Sequence, residues 1–261
     1  MTVRSQTFCA RDAFFTLLKK EIIRFKKVAF HTIAAPVLSS LLYLIVFGVA
    51  LQGRVPTDTQ TPYLDFLVPG LVMMAVMQNA FANSSSSFVQ SKISGTLTFL
   101  LVTPMGSTMI AAAYILSATL RGLIVGLCVW AGTAIWITPT LYSVGWIFSF
   151  ALLGAFIMAA LGLITAIWAD RYEQMGVIQT FFIMPLTFLS GVFYSCKALP
   201  NPWQDLTAFN PLYYLIDGFR GGFLGHFETN PFMASIWGIG ACALFFSVSI
   251  WLLKTGYKTK N

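Results

Sequence analysis

Five polar residues share one register inside an otherwise apolar stretch. Asn79, Asn83, Ser86, Ser87 and Gln90 recur at i, i+4, i+7, i+8 and i+11, so a helix carries them as one stripe. The chemistry such a set offers is hydrogen bonding, not bond breaking. Two uses fit it: bonds to neighbouring helices, or the lining of a polar path, for which Asn79, Asn83 and Ser87 are the candidates. Arg121 adds a cation well inside a long apolar run. It either snorkels to a membrane surface or meets an anionic headgroup or cargo. Gly122 and Gly126 follow it in the small-xxx-small spacing that lets helices approach closely.

Other chemistry is scarce. No phosphate-binding G-x-x-x-x-G-K-[ST] stretch, no H-E-x-x-H and no G-x-S-x-G occurs. The two histidines, His31 and His226, lie far apart in the chain. The four cysteines, Cys9, Cys128, Cys196 and Cys242, lack the spacing of a disulfide framework or a zinc site. No run of intramembrane acids is present of the kind that carries protons, and Asp65 sits only at the edge of a span. Catalysis within the chain and proton-driven transport are both disfavoured, so uphill work needs energy from another polypeptide.

Composition defines the solvent. Of 261 residues 57% are hydrophobic and 10% charged, against about 25% charged in a soluble domain. The expected fold is an all-α membrane protein. Six apolar runs reach the ~20 residues a crossing needs: 28–51, 66–89, 109–137, 144–169, 177–194 and 232–253. The first begins only after a charged leader and is full length, the pattern of a span rather than a cleavable signal. The net charge of +7 collects beside the spans and not in a nucleic-acid-binding patch. Arg4, Arg11, Lys19, Lys20, Arg24, Lys26 and Lys27 precede the first span, Lys254, Lys258 and Lys260 follow the last, and Lys92 and Arg171 fall in loops on the same side. The Lys/Arg rule puts that side, with both termini, in the cytoplasm.

The expected layout is a leader helix over 1–27, a membrane domain over 28–253 and a basic tail over 254–261. In the leader, Phe14, Leu17, Leu18, Ile22 and Phe25 form an apolar stripe among lysines and arginines, as in a helix lying along a membrane surface. In the stretch 90–106, Ile93, Leu97, Leu100 and Leu101 predict one apolar face of a short helix between two spans, stopped by Pro104 and Gly106. The region 185–225 is external, long, half apolar and punctuated by Pro185, Pro200, Pro202 and Pro211. Its runs 188–194 and 212–219 are too short to cross and are read as re-entrant helices.

Three motifs carry a resemblance: FLVPGLVMMAVMQNAF at 66–81, GTLTFLLVTP at 95–104, and PLTFLSGVFYS with NPLYYLIDGFRGGFLG between 185 and 225. The chain resembles the membrane subunits of ABC-2 type transporters, nearest their YadH-like and nodulation-factor exporter branch. The resemblance implies a bacterial inner-membrane export permease. It also implies a homodimer of six-span chains in contact with membrane lipids, docked on two cytoplasmic ATPase subunits that bind ATP and Mg while the permease binds no cofactor. The family's coupling helix then falls on Ile93, Gly95, Thr96, Leu97, Leu100, Leu101, Thr103 and Pro104, and its external cap on Gly191, Phe193, Tyr194, Pro211 and Arg220. Many members carry an acid where this chain has Thr98, so docking here leans on Leu97, Leu100 and Leu101. The implied cargo is amphipathic: a lipid, a glycolipid or polysaccharide, or a drug. A stand-alone secondary transporter or channel is the alternative from another class, and an intramembrane lipid enzyme a third.

Overall fold

A computed structural model describes residues 10–51, 62–103, 105–137, 141–196 and 199–258. All regular structure among them is helical. The elements are α1 (Ala10–Leu51), α2 (Tyr63–Ile93), α3 (Thr96–Val102), α4 (Ser107–Ala134), α5 (Val144–Trp168), α6 (Tyr172–Ile178), α7 (Met184–Phe188), α8 (Asn201–Ala208), α9 (Pro211–Leu224) and α10 (Pro231–Thr255). By length and composition α2, α4, α5, α10 and the described part of α1 are able to cross a membrane. They run alternately up and down, so the bundle has two ends. One bears α3, the other α9.

The leader and the first span form one helix. No Gly or Pro separates Lys27 from Val28, and Pro36 lies inside α1 without ending it. The expected separate surface helix is therefore the first part of a 42-residue rod, about 63 Å long.

The expected fifth span over 177–194 is also built differently. α6 and α7 are joined by a π-helical segment, Gln179–Ile183, in which the Met184 amide donates to the Gln179 carbonyl five residues back. Pro185 explains it: its ring clashes with the carbonyl four residues earlier, and one extra residue in the turn relieves the clash. Helix ends at Phe188, and Leu189 to Tyr194 is a run of turns around Gly191 at φ +77°. The expected helix over 188–194 is thus absent, whereas the expected one over 212–219 is the middle of α9.

α2 is the axis of the bundle, with most of its residues from Phe66 to Val89 buried. α5 and α4 lie against it through glycines. A Cβ on Gly162 would sit 2.5 Å from the Phe81 carbonyl oxygen, and one on Gly122 2.7 Å from that of Val76. Backbones this close gain dispersion contacts that bulkier side chains would prevent. Two Asn-Pro pairs start the helices of the α9 end. Asn210 and Asn230 cap α9 and α10, accepting from the amides of Leu212 and Phe232 at 3.0 Å, and the proline after each takes the first helical position.

Candidate functional site: a helical knob, a polar node and a buried cap

The knob is α3. α2 stops when the amides of Ser94 and Gly95 bond back to the carbonyls of Gln90 and Lys92. Gly95 then takes φ +70°, and the backbone leaves in a new direction. The expected apolar face over Ile93, Leu97, Leu100 and Leu101 assumed one unbroken helix. The break at Gly95 rotates it apart: Ile93 stays on the last turn of α2, exposed, and Leu97 turns inward at 3% exposure. Leu100 and Leu101 are half-buried against the core. The apolar surface left free is Phe99 at 77% and Val102 at 83% exposure, with Ile93 beside them. Thr98 is exposed on the same short helix, and the Thr96 and Ser94 hydroxyls bond each other at 2.9 Å. The Thr103 hydroxyl closes the last turn on the Leu100 carbonyl at 2.6 Å. Pro104 lies outside the described residues.

Beside the knob, three elements are clasped. Lys92 Nζ donates to the carbonyls of Ile167 and Ala169 and to Asp170 Oδ1 at 2.9 Å. Lys258, past the end of α10, donates to Asp170 Oδ2 at 3.1 Å and stands over the Trp168 ring. The two ammonium groups hold the Asp170 carboxyl below its usual range, Lys92 first. Tyr172 donates to Gln90, tying α6 to the end of α2.

The polar node joins α1, α2 and α4. Asn83 Oδ1 accepts from Arg121 Nη1 at 2.6 Å and from Arg24 Nη2 at 2.9 Å. One turn on, Ser87 donates to Glu21, which is only 2% exposed. Arg24 Nε lies 3.3 Å from Glu21 Oε2, and Arg121 stands over the Phe25 ring at 5.3 Å. Asn79 turns to its own helix, donating to the Ala75 carbonyl. The middle of the stripe thus meets protein. Glu21 and Arg24 escaped the sequence reading, although a signal was present: Glu21 falls within the apolar stripe of the leader, one turn after the buried Leu17.

At the other end a cap closes over α2. Arg220 is buried, donates to the Gly191 carbonyl at 2.6 Å and stacks 3.7 Å from the centre of the Phe66 ring. Asp217, 2% exposed, accepts from the amides of Glu228 and Thr229 and from the Thr229 hydroxyl. Glu228 accepts from Ser195 and Tyr213. Phe193 stacks on Phe188 and lies against Phe47 of α1, while the Tyr194 hydroxyl reaches the Phe188 carbonyl. Pro211 opens α9. Gly191, Phe193, Tyr194, Pro211 and Arg220 are therefore brought together. Asp217 and Glu228, which hold the cap shut, are additions from the structure. Burial pushes the Cys196 thiol in this loop up to about 12, which leaves it no nucleophile.

On the flank, an apolar groove of about 460 Å³ runs between α4, α5 and α9, lined by residues such as Leu120, Leu127, Trp130, Phe148 and Phe219. Among the described residues no group of acids, histidines and cysteines is arranged to hold a metal.

These parts define a class: a multi-pass helical membrane protein with an exposed apolar knob at one end and a packed cap at the other. A family model described as ABC-2 type transporter matches residues 12–224, and the chain belongs to that family, whose members are the non-catalytic membrane permeases of transporters. It is similar to the inner membrane transport permease YadH of Escherichia coli (strain K12), 38% identical over 206 residues that cover 79% of this chain and 80% of the relative. It is also similar to nodulation protein J of Rhizobium meliloti (strain 1021), 27% identical over 221 residues and 79% of each chain. The same protein of Rhizobium leguminosarum bv. trifolii is 28% identical over 243 residues, 90% of this chain and 88% of the relative.

Proposed function

We propose that the chain is the permease of an ATP-driven exporter in a bacterial inner membrane, with the α3 end in the cytoplasm. The observation that carries this reading is the free apolar surface of Phe99 and Val102 on a short helix set off by Gly95. Aromatic and aliphatic side chains this exposed at a polar end of the bundle lose free energy in water and gain it in a partner's groove. The chain has no phosphate-binding loop, so the partner is the ATPase, in two copies for a two-chain permease. ATP and Mg enter only through that partner. Closure of the ATPases displaces α3, and α2 carries the displacement inward.

A second copy of this chain fits beside α2. The stripe of α2 left accessible is Gln78, Asn79, Ala82, Ser86 and Gln90, bounded by α1 and by the rod 172–188. Polar groups facing hydrocarbon are costly, and the part-exposed Asn79 and Ser86 are left with bonds to their own helix. A second chain, or the water-filled path between two chains, satisfies them. The rod supplies the sixth crossing: its 17 residues sit at the short limit of about 17–25. α9 and the turns before it form a re-entrant cap on the outer side. The polar stripe and the apolar groove together suit an amphipathic cargo.

Co-purification tests the knob. Phe99→Asp should abolish capture of the cognate ATPase and its cargo-stimulated hydrolysis, with the chain still inserted and folded. Leu97→Asp should instead prevent folding, because Leu97 is buried. ATPase capture by Phe99→Asp at the wild-type level refutes the docking. The stand-alone transporter gains little from the structure: of the two most buried acids, Glu21 is held by Ser87 and Arg24, and Asp217 by Thr229 and the Glu228 amide. Transport by the purified chain alone under an ion gradient would reinstate it.

A further inference from the structure

The node on α1, α2 and α4 has an excess of positive charge. Arg24 and Arg121 converge on one neutral amide oxygen, that of Asn83. Glu21 is the single carboxylate present, and it faces Lys20 at 3.9 Å and Arg24 at 3.3 Å. Nothing anionic among the described residues reaches Arg121. The other acids described lie elsewhere: Asp12 at the start of α1, Asp170 and Glu173 at the α5–α6 turn, and Asp65, Asp205, Asp217 and Glu228 at the α9 end. The buried Nε of Arg121 makes no hydrogen bond, and that of Arg24 has only its ion pair with Glu21. Two guanidinium groups sharing an acceptor in a poorly hydrated site repel each other, so the site calls for a counter-anion.

The depth identifies the anion's class. Counting about 20 residues inward from the α9-end termini of α1 and α2 reaches His31 and Asn83, the inner edge of the hydrocarbon. Lipid phosphates lie at that level. The seam is open to lipid there: Arg24 and Arg121 are half-buried, and Leu116 and Leu120 on the same stretch of α4 are exposed. Exposed Lys26 and Lys27 on α1 add to the local positive field.

We propose that Arg24 and Arg121 seat a phosphate group, carried either by an anionic inner-leaflet phospholipid or by a phosphorylated free solute, with Asn83 holding the two guanidinium groups in place. Planar guanidinium forks bind phosphate oxygens in pairs, which a lysine does not reproduce. The site stands independently of the ATPase docking proposed above.

The test uses the full chain, purified in mild detergent and stripped of lipid. Phosphatidylglycerol and phosphatidylcholine are titrated separately, with retention read by native mass spectrometry and by melting temperature. Phosphatidylglycerol should bind and raise the melting temperature, and phosphatidylcholine should do neither. Arg121→Gln, which keeps a donor for Asn83, should weaken phosphatidylglycerol binding about tenfold. Lys254→Gln, an exposed cation at the end of α10, should leave it unchanged. If Arg121→Gln fails to fold, Arg24→Gln carries the same expectation. Competition by millimolar inorganic phosphate assigns the seat to a free phosphate group, and its absence to a lipid headgroup. Equal binding of the two lipids, or wild-type binding of phosphatidylglycerol by the arginine variants, overturns the proposal.

Discussion

Asn83→Leu tests how the polar stripe is used. The substitution keeps the number of side-chain heavy atoms and removes an oxygen that accepts at 2.6 Å from Arg121 and 2.9 Å from Arg24. The losses are unequal. Arg24 retains Glu21 at 3.3 Å and a weak bond to the Asn83 carbonyl at 3.4 Å. Arg121 loses the one hydrogen-bonded acceptor it has among the described residues and retains the Phe25 ring face. A bond to a charged group contributes ~1.5–3 kcal/mol in water-soluble proteins, and side-chain bonds between membrane helices average ~0.6 kcal/mol. Two bonds therefore bracket the loss between about 1 and 6 kcal/mol, and the half-buried site favours ~2 kcal/mol. Reversible unfolding in mixed micelles measures it. A double-mutant cycle with Arg121→Leu isolates the pair, with an expected coupling of at least ~1 kcal/mol. If the two substitutions add within ~0.4 kcal/mol, the node does not join α2 to α4, and the stripe is free to line a path instead.

Two further perturbations separate packing from surface. Gly162→Ala places a Cβ 2.5 Å from the Phe81 carbonyl oxygen, a backbone atom unable to move aside; it should cost ~1–3 kcal/mol and lower the melting temperature. Gly176→Ala, in open space on α6, should be neutral or stabilise by up to ~1 kcal/mol through helix propensity; equal melting of the two variants would refute the α2–α5 contact. The clasp at Asp170 gives a pH dependence. Its pKa is depressed in the folded chain, so the folded state binds the proton less well than the unfolded one, and the contribution is fully present above the ordinary carboxylate range. Hydrogen exchange at residues 256–258 should therefore be protected to the same degree from pH 7 to pH 5 and lose protection only below about 4. Asp170→Asn should abolish that protection at neutral pH, and unchanged exchange in this variant would dissolve the clasp.

How much was legible depends on the range of the forces involved. Hydrophobic runs and charge bias are local, and they disclosed the all-helical membrane class and the positions of α2, α4, α5 and α10. The small-residue spacing of Gly122 and Gly126 was legible too, and both glycines do face Val76 of α2. The fusion of leader and first span was hidden because an absent breaker leaves no mark. The π segment was hidden because Pro185 reads equally as the end of a helix or a local rearrangement. The face of α3 was misassigned for one reason: a single left-handed glycine at 95 changes the phase of all that follows. Arg24, Asp217 and Glu228 make contacts that are long-range or depend on the loop path, and periodicity carries no information about those; Glu21 was marked only by its place in the leader's apolar stripe.

The two ends of the bundle are joined by one element, and that constrains any mechanism in which α3 is pushed. α2 is about 46 Å long, bonded to the α5–α6 turn through Lys92 at one end and stacked under Arg220 through Phe66 at the other. Between them its backbone is wedged against Gly122 of α4 and Gly162 of α5. Interiors packed this closely shift between discrete arrangements and do not deform smoothly. A displacement of α3 therefore moves α2, α4 and α5 together, and the cap over Phe66 must follow. The rod 172–188 is tied less firmly: only Ile183 and Thr187 on it are buried, and its π segment lacks the regular ladder. Any relative motion within one chain is thus easiest between the α2–α4–α5 block and this rod, along the flank where Gln78, Asn79 and Gln90 of α2 reach the surface.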